Sequence, residues 1–142
     1  PDKAYFGEKD AQQLAVIKRM VRDLNMDINI IGCPIIREKD GLAKSSRNTY
    51  LNDKERKAAL VLSRSLAKAK KMLDEGERSA AAVAELIRSE IESEPLARLD
   101  YAEIVDSDNL RPVENIEKSV LVAIAVYIGK TRLIDNFTFR TE

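Results

Sequence analysis

Lys44, Ser45, Ser46, Arg47 and Asn48 stand in an unbroken row of hydrogen-bonding side chains, the first and fourth of them cationic. An arginine there offers a planar, two-pronged donor that matches phosphate oxygens. The row lies in residues 36–51, IREKDGLAKSSRNTYL, a stretch without apolar periodicity that contains Asp40 and Gly41, a pair that turns the chain. An apolar segment precedes it and a helix start at Asn52 follows, so both ends are tethered. The stretch reads as a phosphate clamp able to close over a ligand; its plainer reading is a solvated loop.

A second group lies near the N-terminus: Gly7, Glu8, Lys9 and Asp10, then Gln12 and Gln13. A turn from strand to helix presents backbone donors and a helix N-terminus to an anion. Gly7 lets a ligand approach the main chain, Lys9 reaches phosphate as a flexible point charge, and Asp10 can accept from ribose hydroxyls. The two glutamines suit a hydroxyl and a carboxylate oxygen together. A solvated first helical turn is the alternative for all of them.

Other chemistry is removed by composition. There is no histidine, which excludes imidazole general bases, Ser-His and Cys-His pairs and the usual zinc sets. Gly129, Lys130 and Thr131 imitate the end of a P-loop, but Ile124 stands where that motif needs glycine. Twenty-four basic and twenty-four acidic residues cancel, so no general field draws in nucleic acid or an anionic membrane. The single cysteine, Cys33, sits in an apolar segment and reads as a buried strand end in a reducing cytoplasm. The longest apolar run, residues 120–128, is too short to span a bilayer, and no signal pattern opens the chain.

The elements that must position these groups follow from periodicity. Residues 3–6 predict a strand; Leu14, Ile17, Met20, Val21 and Leu24 predict a helix capped by Asp10 and ended at Asn25; residues 28–31 predict a buried strand. Strand, helix and strand make a parallel unit whose ligand sites lie at the carboxyl ends of the strands, where both groups fall. A second domain is expected from Asn52, which with Glu55 has the spacing of a reciprocal cap. One helix carrying Ala58, Leu62, Leu66, Ala69 and Leu73 inward should run to Gly76, and another, capped by Ser79, should close before Pro95. The lysines and arginines outside that first stripe read as a wet face. Strands are expected over 99–105, 119–128 and 131–135, the last two joined through Gly129 and Lys130, with 119–128 central and 137–142 a loose tail.

DGLAKSSRNTYL is similar to the mobile phosphate-binding loop of the nucleotidyltransferase superfamily, in the wording of the pantothenate synthetase (pantoate–β-alanine ligase) family. FGEKDAQQL, residues 6–14, matches the same family with fitting separation, and LIDN, residues 133–136, adds to it. The resemblance covers essentially the whole chain as the C-terminal half of such an enzyme. It implies an α/β fold: residues 1–51 as the end of a Rossmann-like nucleotide-binding domain that includes the KSSRN loop, and 52–142 as a small α+β lid with helices on an antiparallel three-stranded sheet. It also implies ATP with Mg2+, pantoate and β-alanine as ligands, a pantoyl-adenylate intermediate, no nucleic-acid or membrane partner, a homodimer in the full-length form and a cytoplasmic location. No metal-ligating side chain is implied. Carried over by motif position, Gly7, Glu8, Lys9, Asp10, Ile36 (through its backbone), Lys44, Ser45, Ser46 and Arg47 would bind ATP, and Gln13 would hold pantoate. Lys9, Ser45, Ser46 and Arg47 would do the catalytic work of charge stabilisation. Many relatives carry an apolar residue where this chain has Lys44, which leaves a backbone role there.

The histidine-containing motif of the family's N-terminal half, and the glutamine there that helps hold pantoate, are not in this sequence, and the chain opens at Pro1. An excised piece, inactive as a ligase by itself, is the expectation. Two other classes fit the same residues: a non-catalytic nucleotide-binding or assembly module, and an adenylylating enzyme of the superfamily with a different acid.

Overall fold

Alternating exposed and half-buried residues make Lys3–Gly7 a strand, β1, in the structure, a computed structural model that describes residues 2–141. The chain then turns into helix α1, Ala11–Asp23, whose cap is the Asp10 carboxylate accepting the Gln13 amide N–H at 3.1 Å. Asn25 ends it in the left-handed region, at φ 50. Strand β2, Asn29–Cys33, returns parallel to β1, with Lys3 opposite Asn29 and Gly7 opposite Cys33. Gly32 admits the helix: a Cβ there would lie 3.0 Å from Leu14, the buried residue of α1.

Beyond β2 the expected open loop has structure of its own. Lys44 donates to the Ile36 carbonyl and Glu38 to that of Leu42, each at 2.8 Å, so the segment folds into a narrow stem about Gly41, whose φ is +101. A 3₁₀ helix, Ser46–Tyr50, follows, with the Ser45 hydroxyl accepting the Arg47 amide.

Asn52 and Glu55 form the predicted capping box at the start of α2, Asp53–Ala58. The single helix expected to Gly76 is divided: α3, Leu60–Asp74, starts after Ala59, where the Ala59 carbonyl takes a tight bond from Leu62. Gly76, at φ +108, ends it, and α4, Ala80–Glu92, is capped by Ser79. Strands β3 (Ala97–Asp106), β4 (Val120–Ile128) and β5 (Thr131–Phe139) form an antiparallel sheet with β4 in the middle. The loose tail predicted for 137–142 is corrected over its first half, because β5 continues to Phe139, paired with Val120. That pairing reaches across the hairpin, and local sequence does not announce it.

Leu62, Leu73, Val83, Ile87 and Ile91 of the helices bury themselves with Val122, Ile124 and Val126 of β4, which makes one core between helices and sheet. Leu121 and Ala125, pointing from the other face of β4, are buried too. β5 joins the two sheets, through Asn136 to the β1–α1 turn and through Asp135 to Arg37. Among the described residues no helix is long and apolar enough to cross a membrane.

Candidate functional site

Residues from both groups singled out in the sequence converge on one hollow. It measures about 180 Å³ and is lined by Lys9, Asp10, Ser45, Arg47 and Arg132 with Leu133 and Ile134. Lys9 enters from the β1–α1 turn, Ser45 and Arg47 from the 3₁₀ segment, and Arg132 from the start of β5. The Lys9 ammonium donates to the Lys44 carbonyl at 3.2 Å, and the Arg47 guanidinium to the Arg132 carbonyl at 3.2 Å, so each group is tied to its neighbour's backbone.

Three cations against the one carboxylate of Asp10 leave a local positive excess around a small opening, in a chain whose charges cancel overall. Burial pushes the Lys9 ammonium below the ordinary lysine pKa; Asp135 opposes this, while Arg47 and Arg37 add to it. Arg132 is braced by the Asp100 carboxylate at 2.9 Å and lies over the Tyr101 ring, which holds its guanidinium above the usual arginine range, the Asp100 hydrogen bond being the main cause. One oxygen of Asp10 is already taken by the helix cap. Among the described residues no three His, Cys, Asp or Glu side chains gather as a metal cluster.

Not every residue singled out in the sequence lines this hollow. Ser46 is exposed, with its carbonyl taken by Thr49; Lys44 is exposed and contributes its backbone alone. Ile36 is largely exposed, and its carbonyl is taken by Lys44. Gly7 ends β1 without reaching the hollow; Glu8 faces a separate cavity with Lys18 and Arg140; Gln13 is exposed on the first turn of α1. Conversely, Arg132, Arg37, Asp135 and Asn136 were given no role from the sequence. For Asp135 and Asn136 a signal was available: an adjacent Asp and Asn between Leu133, Ile134 and Phe137 must find partners if buried. Asn48 donates to the Ala43 carbonyl while its own amide oxygen is buried without a partner.

The model of the family described as pantoate-beta-alanine ligase matches residues 1–138. The chain belongs to the pantoate-beta-alanine ligase family. It is 70% identical over 139 residues to the pantothenate synthetase of Clostridioides difficile, covering 98% of this chain and 49% of that protein. It is 65% identical over 141 residues to that of Enterococcus faecalis, covering 99% and 50%. The crystal structure of pantothenate synthetase from Thermus thermophilus superimposes with a TM-score of 0.90 at 41% identity, over 96% of this chain and 49% of that one. A pantoate-beta-alanine ligase from Francisella tularensis, complexed with beta-gamma ATP and beta-alanine, matches with a TM-score of 0.60 at 31% identity, over 96% of this chain and 43% of that one. The chain thus spans about half the length of the ligase-family relatives it matches.

Proposed function

We propose that this chain supplies the nucleotide-handling half of a ligase that joins pantoate to β-alanine with cleavage of ATP. A carboxylate oxygen of pantoate attacks the α-phosphorus of MgATP and pyrophosphate leaves. The amine of β-alanine then attacks the acyl carbon of the mixed anhydride, loses a proton, and AMP leaves. Nothing in this sequence of steps needs a protein nucleophile. The protein's task is charge: Lys9, Arg47 and the Ser45 hydroxyl would meet the negative charge that grows on the phosphate oxygens, with Ser46 joining them when the loop closes. Magnesium would arrive on the ATP phosphates, since the hollow offers the single carboxylate of Asp10 and no cluster of carboxylates.

The observation that carries this reading is the convergence of Lys9 and Arg47 on one hollow from segments far apart in sequence. The Francisella ligase complexed with beta-gamma ATP and beta-alanine supports it. On the same reading, β1, α1 and β2 belong to a Rossmann-like nucleotide-binding domain that ends near residue 51, and 52–142 form its lid. Gly7, Glu8, Asp10, the Ile36 backbone and Lys44 would complete the ATP site, with Gln13 on pantoate. The family resemblance extends the reading to a homodimer in the cytoplasm.

Calorimetric titration of the chain with MgATP tests the nucleotide site. Fusing the chain to the N-terminal half of the Clostridioides difficile relative and measuring pantothenate from ATP, pantoate and β-alanine tests the reaction. Binding and turnover are the expected outcome. Binding without turnover by the fusion would favour a nucleotide-binding module, and no binding at all would end the proposal.

A further inference from the structure

Adjacent residues of a strand point to opposite faces, and on β5 two such neighbours reach two different parts of the site. Both are polar, and both are nearly buried, Asp135 at 2% exposure and Asn136 at 6%.

Asn136 commits both amide hydrogens to the β1–α1 turn. Its Nδ2 donates to the Glu8 carbonyl at 3.0 Å and to the Lys9 carbonyl at 2.9 Å. In a trans peptide the N–H lies antiparallel to the carbonyl before it. Holding those two carbonyls therefore turns the amides of Lys9 and Asp10 away from Asn136. Oriented main-chain donors ahead of a helix are what an anion meets.

Asp135 works on the other segment. Its carboxylate takes both prongs of Arg37, at 2.7 and 2.9 Å, and the same guanidinium donates to the Gly41 carbonyl at 3.0 Å. This ties down the stem that presents Ser45 and Arg47. We propose that Asp135 and Asn136 together are the positioning element of the polyphosphate hollow, one side chain fixing the Lys9 turn and the other fixing the Arg47 loop. Neither touches the reacting atoms; what the hollow takes rests on the nucleotide reading above.

Asn136→Ala, Asn136→Asp and Asp135→Asn in this chain test the assignment by amide hydrogen exchange and MgATP titration together. Losing the paired donor should speed exchange of the Glu8 and Gln13 amides about tenfold in Asn136→Ala, and weaken MgATP by a similar factor. Asp135→Asn should do the same at Gly41 and Lys44. The amides of Val122 and Val126 in β4 should stay as in the parent. Asn136→Asp, isosteric but with a carboxylate set against two carbonyls, should be the weakest binder above neutrality and recover as the pH is lowered and the carboxyl regains a proton. A purely structural role would leave no such pH dependence relative to Asn136→Ala.

Unchanged exchange at Glu8 and Gln13, or equal acceleration throughout β4, would overturn the proposal. If the parent binds no MgATP while the local amides respond as described, the nucleotide reading fails and the positioning of both segments stands.

Discussion

The ammonium of Lys9 donates to the main-chain carbonyl of Lys44 at 3.2 Å, closing the strand-to-helix turn onto the loop that carries Ser45 and Arg47. A lysine held this way is half-buried and has two arginines near it, which is why its pKa lies low. Because the folded-state value is depressed, the unfolded chain holds more protons between the two pKa values. Folding stability from this group therefore rises with pH across that window, and the cost is fully present below it.

Binding a polyphosphate reverses the sign for the ligand. An anion beside Lys9 favours the charged form, so a nucleotide binds best where Lys9 is already protonated. MgATP affinity should fall as pH rises through the lowered Lys9 value towards the ordinary lysine value, with proton uptake on binding across that range. Calorimetry in buffers of different ionisation enthalpy reads the uptake directly. Lys9→Met should bind more weakly throughout and show no uptake; an identical pH profile in that variant would mean that Lys9 does not face the ligand.

Arg47 supplies what a lysine cannot. Its guanidinium already gives one prong to the Arg132 carbonyl, so it is held at the hollow with further donors free. Arg47→Ala in the fused enzyme should lower the rate of adenylate formation about a hundredfold or more, the usual consequence of losing one preorganised donor. Arg47→Lys should recover only part, having no planar fork. Single-turnover pyrophosphate release measures this, and an unchanged rate in Arg47→Ala would remove the residue from the mechanism.

The Arg37–Asp135 pair invites a stability prediction. The carboxylate is buried while the guanidinium is one-third exposed, its charged form reinforced chiefly by the hydrogen bonds it donates to Asp135. Arg37→Ala would strand the carboxylate in the interior. Loss of one partner of a buried pair costs on the order of 3 kcal/mol, and residual solvent access at the Arg37 side brings the expectation towards the lower part of that scale. Urea unfolding should show it as a lower midpoint at unchanged slope. The double variant Arg37→Ala with Asp135→Asn should recover part of the loss, since it removes the stranded charge.

The sequence made some of this readable and hid the rest for physical reasons. Helical spacing located α1 and α4, short apolar pieces located β1 and β2, and the unbroken apolar run marked β4 as the middle strand, because those signals are local. Asp10, Asn52 and Ser79 announced their helix starts for the same reason. The extension of β5 to Phe139 depends on a partner across the hairpin, and the break at Ala59 on a tight turn of residues that all favour helix. KSSRN and FGEKD marked a candidate site by residue type, yet the residues that hold them together, Arg37, Asp135 and Asn136, lie on elements whose proximity is tertiary. Arg132 reaches the hollow only because the hairpin brings it there.

The hairpin that carries Arg132 turns at Gly129, whose φ of +59 belongs to the left-handed region. A Cβ at that position would also run into Oε2 of Glu55, whose other oxygen accepts the Asn52 amide at 3.0 Å in the capping box of α2. Gly129→Ala thus brings two costs of separate origin: about 1–2 kcal/mol for a non-glycine residue held left-handed, and about 1 kcal/mol if Glu55 is driven off its cap. Glu55→Ala alone should cost about the second amount. In the double variant the steric part is gone, so the two losses should sum to less than their separate values by about that same 1 kcal/mol. A thermodynamic cycle by chemical unfolding measures the difference. Strict additivity would mean that Glu55 moves aside without surrendering Asn52, and that the turn and the helix start are energetically independent.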